Sequence, residues 1–464
     1  MKRKIVLLLL TLLAALLVAC VQEEPEEPAA PAEEPTEAPE VDEEEPAEEE
    51  GEAEEEAPAE EETETEGEAP ETVRIGVVYP LTGALAATGV ASQDAFLLAA
   101  EIVNNEYPDL NLPMAAEAGI TCLDNAQVEL VFADHQMSPE IGASETERLI
   151  TEENVVAILG AYASAVTNTA SQAAERLGIP FVNAQSTSPA LHQRGFQWYF
   201  RTTPHDAIFS ELMFQFLADL RDQGTEINTV ATIYENTLFG SDSSETQNQF
   251  AEQYGFEVVA NIAYPSGTAD MTSEVQQLIA ADPDVVLPTS YVADAILMMR
   301  TFEAQNYSPE AILAQGVGFT EGSFLETVGA TGNYIISREV FALDLQENKP
   351  IIGEVNTMFN EMYDRDLEGA TARSFTALLV LADAINRACS TEPEAIRQAL
   401  LETDIPSEQI IMPWEGVRFD PETGQNVLGT GIMVQALDGQ YQTVWPFELA
   451  TQELVWPYPA WDER

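Results

Sequence analysis

The stretch Val73-Arg74-Ile75-Gly76-Val77-Val78-Tyr79-Pro80-Leu81-Thr82-Gly83 decides how the chain folds. Its first seven residues form a short run, rich in β-branched side chains, of the length a buried strand needs. Pro80 and the Thr82-Gly83 turn end it. Ala91, Ala95, Leu98, Ala99 and Ile102 then recur at helical spacing, so an amphipathic helix follows the strand. The pair of elements repeats. A strand over 128–132 precedes a helix over 139–152, a strand over 155–159 precedes a helix over 166–177, and a strand follows over 180–183. Beyond Arg201, strands are expected over 230–234, 258–263, 285–288 and 312–314, each beside a helical run. Strands alternating with helices give an α/β fold of parallel sheets covered on both faces. The 392 residues from Val73 to Arg464 exceed one comfortable core, so two α/β lobes are expected.

The 464 residues carry 18 Lys and Arg against 81 Asp and Glu, a net charge of −63. That field excludes a nucleic-acid binder, which needs clustered cations to neutralise phosphates. The charge is partitioned. Lys2, Arg3 and Lys4 precede an apolar run over 5–19 broken only by Thr11, too short to cross a bilayer and arranged as a secretory signal. Its end, Leu17-Val18-Ala19-Cys20, resembles the bacterial lipoprotein box, which implies cleavage before Cys20 and a diacylglycerol anchor on it; an ordinary signal peptide with an incidental cysteine is the alternative. No later segment reads as a membrane span, so the rest is expected outside the cytoplasm, anchored to the outer face of the membrane. Residues 21–72 read as a disordered tether of Glu, Pro, Ala and Thr, with no aromatic residue and eight prolines before Glu71. Such a stretch cannot repay the entropy of ordering, and as a coil it reaches roughly 40 Å. An acidic cation-binding tail is the rival reading.

The remaining body holds 55 acids, 15 bases and a single lysine, Lys349. Cys122 and Cys389, 267 positions apart, read equally as a disulfide or as two free thiols. The three histidines, His135, His192 and His205, have no metal-ligand spacing, and no metal or cofactor is expected. No Walker loop, dinucleotide fingerprint or nucleophile elbow sits on the turns, so no catalytic residue is expected. The loops offer hydroxyls and amides instead. Gly160-Ala161-Tyr162-Ala163-Ser164 leaves one strand, and Ala184-Gln185-Ser186-Thr187-Ser188-Pro189 leaves the next. In a doubly wound sheet both lie beyond the carboxyl ends of neighbouring strands, where ligands bind. Free N–H groups at a helix start, joined by Ser and Thr hydroxyls, suit an anion. The competing reading makes Ser164 and Ser188 helix caps.

These segments, with Gly178-Ile179-Pro180-Phe181, Phe200-Arg201-Thr202-Thr203, Tyr234-Glu235-Asn236 and Pro283-Asp284-Val285-Val286, resemble the type I periplasmic binding proteins, and most nearly the branched-chain amino-acid receptors of ABC importers. The resemblance runs collinearly from Val73 almost to the C terminus. It implies two Rossmann-like lobes joined by a three-crossing hinge, with crossings near His205, Glu339 and Asp420. Residues 73–205 and 339–420 then form one lobe, and 206–338 and 421–464 the other. It further implies that Ser164 and Thr187 hold a ligand carboxylate, that Gln185, Ser186 and the Thr187 hydroxyl help hold an ammonium, and that Phe239 and Tyr291 close over the ligand. Three departures from the family pattern stand out. Thr88 replaces an aromatic wall residue, and Ala163 stands where a cysteine is expected. No carboxylate lies in 315–319 to meet an ammonium, for which Glu321 or Glu235 could substitute; failing both, an amide, urea-like compound or small carboxylate becomes the ligand.

The function expected is therefore that of a monomeric, lipid-anchored receptor delivering a small amino acid or a relative to ABC permease subunits. A sensory module of the same fold is the alternative, and an exported hydrolase lacks a histidine beside any candidate serine. A body with a net charge of −40 repels itself in dilute neutral buffer, which suits a saline or acidic milieu. The melting temperature is expected to rise with added salt or mildly lower pH, and a midpoint indifferent to both contradicts this.

Overall fold

The computed structural model describes residues 70–461; Cys20, the leader and the tether up to residue 69 lie outside the described residues. Strand β1 (Thr72–Tyr79) is buried along most of its length, as its β-branched run demands. Chain order continues with α1 (Ala86–Asn104), β2 (Gln127–Asp134), α2 (Pro139–Thr151), β3 (Ala157–Gly160), α3 (Ser164–Leu177), β4 (Phe181–Asn183) and β5 (Tyr199–Arg201). These strands form a parallel sheet in the order β2-β1-β3-β4-β5.

The chain then leaves this sheet and builds a second one through α4 (Asp206–Asp222), β6 (Thr229–Glu235), α5 (Leu238–Tyr254), β7 (Glu257–Tyr264), α6 (Thr272–Ala281), β8 (Val285–Thr289), α7 (Val292–Ala304), β9 (Ala311–Ala314), α8 (Gly322–Val328) and β10 (Ile336–Glu339). The parallel part runs β7-β6-β8-β9-β10, the same winding as the first sheet. After Glu339 the chain returns to the first lobe with α9 (Pro350–Tyr363), α10 (Gly369–Ala388) and α11 (Pro393–Leu401), where α10 packs on α1. A small hairpin of β11 (Asp404–Pro406) and β12 (Gly416–Arg418) precedes the third crossing, and β13 (Ile432–Leu437) with β14 (Gln440–Trp445) extends the second sheet. The fold is thus two doubly wound lobes joined by three crossings.

Two expectations change. The second sheet is not wholly parallel: β13 and β14 pair antiparallel, and β13 runs antiparallel to β10. The turn between them, Asp438-Gly439, has both residues at positive φ (51° and 80°), the hairpin geometry that Asp-Gly favours. Helix α1 is also long and apolar enough to cross a membrane by composition, contrary to the expectation for the body. Most of its apolar residues, among them Phe96, Leu98 and Ile102, are buried in the protein core, with Val90 and Leu97 exposed, which accounts for the same composition without a bilayer.

Separate apolar layers support the two faces of the second sheet. Phe214, Phe216 and Phe250 pack on Val285, Leu287 and Ile336 on one face. Met298, Met299 and Phe302 of α7 belong to the other layer, which is continuous with the first lobe. Each such side chain contributes roughly 1.5–3 kcal/mol on full burial. Cys122 and Cys389 are joined in a disulfide with Cα atoms 5.2 Å apart, tying the turn before β2 to the end of α10.

The hinge is a hydrogen-bonded ribbon. Arg201 N–H donates to the Gly424 carbonyl, Asn426 N–H to the Arg201 carbonyl, and the Asn426 side chain to the Thr202 carbonyl. Gly424 has φ +64°, and a Cβ there would lie 2.0 Å from the Tyr199 carbonyl oxygen, so no other residue lets the first and third crossings approach this closely.

Candidate functional site

A cavity lies between the lobes, at the carboxyl ends of β3 and β4. Its first-lobe wall is made by the two loops named from sequence. Tyr162 takes a left-handed conformation (φ 74°), and α3 begins two residues later at Ser164. The residue capping α3 is Ala163, with no side-chain bond to the helix, so Ser164 is not a cap. Ser188 does not cap with its side chain either; its hydroxyl donates across the cleft to Asp242. The first-turn N–H groups of α3 and its dipole therefore adjoin the wall without a capping side chain.

The second loop is braced from three sides. Asn183 Oδ1 accepts from the N–H groups of Gln185 (3.0 Å) and Ser186 (2.9 Å). The Ser186 hydroxyl lies 2.6 Å from the Thr167 hydroxyl and donates to the Tyr162 carbonyl at 2.8 Å, locking the two loops together. Gln185 Nε2 donates to the Ala370 carbonyl (2.6 Å) and the Ser374 hydroxyl (2.9 Å) of α10. Two buried polar atoms on this wall make no hydrogen bond of good geometry within the protein, the Thr187 hydroxyl and Gln185 Oε1, although the hydroxyl lies near enough to the buried Asp206 carboxyl to lower its pKa. A donor and an acceptor left unpaired cost roughly 1–3 kcal/mol each, which a ligand group of matching polarity relieves.

The second lobe supplies the lid. Phe239 and Tyr291 pack at 5.6 Å between ring centroids, and Tyr162 approaches Tyr291 at 6.2 Å from the other lobe. Gly318 makes this fit possible, since a Cβ there would meet the Tyr291 backbone at 2.4 Å. Glu321 sits at the same wall, 4% exposed, and accepts hydrogen bonds from the Thr88 and Tyr162 hydroxyls of the first lobe. Burial raises its pKa, and those two donors and Arg373 only partly offset that.

Six wall residues escaped the sequence reading: Val317, Thr320, Ala370 and, with the most chemistry to offer, Tyr162, Glu368 and Arg373. Tyr162 lay inside a quoted loop without a role. Glu368 and Arg373 belong to the start of α10, which carries no loop signature, although an arginine on a buried helix is conspicuous in so acidic a chain. Glu368 Oε2 accepts from Gly322 N–H across the cleft at 2.7 Å. Burial and the neighbouring Glu321 and Glu339 push the Glu368 carboxyl up to about 7. Arg373 donates to the Gly369 carbonyl and pairs with Glu339 at 3.5 Å.

Two sequence-named residues stand off the cavity wall. Glu235 points into its own loop, where it accepts from Thr237 N–H (2.7 Å), the Thr237 hydroxyl (2.7 Å) and Gly240 N–H (2.9 Å). Its carboxylate is spent organising the start of α5. Thr88 lines an adjoining open groove of about 2270 Å³ and reaches the cavity only through Glu321. Ser164, Gln185, Ser186, Thr187, Phe239, Tyr291 and Glu321 do converge on the cavity. The result is a two-ended site, with hydroxyl and N–H donors at the first-lobe loops and carboxylates at Glu321 and Glu368. No nucleophile–base pair faces it.

Residues 72–440 match the sequence profile of the periplasmic binding protein family. The chain is 28% identical over 401 residues to Leu/Ile/Val-binding protein homolog 7 of Brucella abortus, covering 83% of this chain and 94% of the relative. Its fold is similar to the leucine-binding protein LivK of Thermotoga maritima (TM-score 0.69, 21% identity, 81% of this chain and all of that one). It is also similar to LivJ of Streptococcus pneumoniae in complex with isoleucine (TM-score 0.66, 19% identity, 83% of this chain and all of that one). With two doubly wound lobes, a three-crossing hinge and a binding cavity between them, this chain belongs to the periplasmic binding protein family and is a binding protein, not an enzyme.

Proposed function

We propose that this chain is the substrate receptor of an ABC importer for an L-α-amino acid with an aliphatic side chain, the branched-chain amino acids first among them. The observation that carries the reading is the polarity of the cavity. The unpaired Thr187 hydroxyl and the start of α3 suit a carboxylate, Glu321 and Glu368 suit an ammonium, and Phe239 and Tyr291 suit an apolar side chain. Glu321 removes the reason for preferring an amide or urea-like ligand. Relatives named as Leu/Ile/Val-binding homologues, and a fold shared with leucine- and isoleucine-binding proteins, support the same choice. Lipid on Cys20 holds the receptor at the outer membrane face, and permease subunits take the ligand from the closed form.

The mechanism is a population shift. Ligand seated on the first-lobe loops gains the second-lobe contacts only when the lobes meet, so closure is favoured by the difference in affinity between open and closed forms. The closed arrangement has its own ties, Glu321 to Thr88 and Tyr162, Ser188 to Asp242, and Gly322 to Glu368.

Calorimetry and thermal shift with leucine, isoleucine, valine, their deaminated acids, and urea test the assignment. The amino acids are expected to bind and to raise the melting temperature by mass action. Thr187→Ala is expected to weaken leucine by about 1–3 kcal/mol. Binding of urea or the deaminated acid but not of any amino acid overturns the reading, and an unaltered affinity in the variant removes Thr187 from the site.

The raised carboxyls also fix the sign of a pH dependence. An ammonium favours the ionised form of both carboxyls, so below about pH 7 a proton must leave Glu368 for leucine to bind, and the upward displacement of Glu321 acts in the same direction. Affinity is expected to fall as pH drops from 7 to 5, by up to about tenfold per unit for each proton released. Without ligand both groups hold more protons folded than unfolded, so their contribution to stability is present at low pH and is lost as pH rises, for Glu368 from 4.5 toward 7. A leucine affinity that is flat from pH 5 to 8 contradicts the proposed ammonium partners.

A further inference from the structure

The loop that carries Thr187 is held from behind by a buried cation whose hydrogen-bond partners are all uncharged. Arg201 closes β5 and is fully buried. Its Nη1 donates to the carbonyl oxygens of Ser186 (3.3 Å) and Ser188 (2.8 Å), its Nε donates to Gln425 Oε1 (2.6 Å), and its Nη2 meets His192 Nδ1. His192 stacks on His205 at 4.7 Å. Burial first, and then the positive charge of Arg201, hold His192 down to about 4 and His205 to about 2, so both rings are neutral at pH 7. The acid that Arg201 feels, Asp206, faces a second buried cation, Arg338, at 4.0 Å.

The direction of these bonds matters. In a trans peptide the N–H points opposite to the carbonyl. With the Ser186 carbonyl turned onto Arg201, the Thr187 N–H is turned the other way. Thr187 lines the cavity and Arg201 does not, which puts the guanidinium behind the loop as seen from the ligand's side. Arg201 thereby fixes the Ser186–Thr187 peptide and its loop at the edge of the cavity, and adds a positive charge behind them that Asp206, shared with Arg338, offsets only in part. At the effective dielectric of a protein interior, a unit charge about 8–10 Å from another shifts an equilibrium by on the order of tenfold.

We propose that Arg201 is the positioning residue that makes this cavity select a ligand carboxylate over an uncharged amide. The inference rests on the amino-acid reading above and adds the residue that sets the charge preference at the carboxylate end. It also gives the third crossing a role in recognition, because Gln425 anchors the guanidinium from that segment and donates through Nε2 to the Thr203 carbonyl of the first crossing.

The test compares L-leucine with L-leucinamide, which keeps the ammonium and side chain and lacks the carboxylate, by calorimetry on the full chain at pH 7. The wild type is expected to prefer leucine. Arg201→Gln retains a donor for the loop carbonyls without the charge and is expected to reduce that preference by about tenfold or more. Arg201→Lys keeps the charge and is expected to keep most of the preference. Gln425→Glu leaves Arg201 in place but sets a carboxylate against it, and is expected to reduce the preference like Arg201→Gln, which covers the case in which the latter does not fold. Equal weakening of both ligands in Arg201→Gln and Gln425→Glu overturns the inference and leaves Arg201 a scaffold. A wild type that binds both ligands equally overturns this inference alone, whereas a wild type that binds neither overturns the amino-acid reading and this inference with it.

Discussion

Glu321 is a carboxylate taken out of water at the seam between two lobes, and much of the structure is arranged around that cost. A charge with so little solvent needs donors, and the first lobe provides two, the Thr88 and Tyr162 hydroxyls. Neither donor shares a lobe with Glu321, so these bonds exist only when the lobes meet. The same carboxylate is thus a closure contact and a wall of the cavity. Arg373 lies close enough to moderate its charge but is itself paired with Glu339, so the cluster is left with more acid than base. That surplus is what the proposed ammonium would meet.

The opposite end of the cavity solves the complementary problem with neutral groups and a distant charge. Hydroxyl-bearing residues line the cavity there, while Arg201 stands one layer back and is linked to the hinge ribbon. The binding loop and the bending segment therefore share one hydrogen-bonded unit. Arg201, Gln425 and Asn426 make that link, through Gln425 to the Thr203 carbonyl and Asn426 to the Thr202 carbonyl.

How much of this was readable depends on whether the cause is local. The first strand, its turn and the loops around Ser164 and Thr187 follow from neighbours in sequence, and they converge as the spacing implies. The Glu321 partners lie 233 and 159 positions away, and no local pattern points from one to the other. Glu235 illustrates the opposite hazard: a carboxylate at a strand end reads alike whether it binds a ligand or organises the next helix, and here three donors from its own loop decide for the latter. The antiparallel hairpin did have a local sign in Asp438-Gly439, overshadowed by the parallel rhythm before it. The pairing of Cys122 with Cys389 depends on α10 returning to the first lobe, which only the tertiary fold provides.

The central claim is that one cavity between the lobes separates a carboxylate end from an ammonium end. A crystal structure of the protein grown with leucine tests it most directly. The account predicts the leucine carboxylate within about 3 Å of the Thr187 hydroxyl and the ammonium against Glu321. Leucine bound with its ends reversed, or lying outside the wall formed by Thr187 and Glu321, would contradict it.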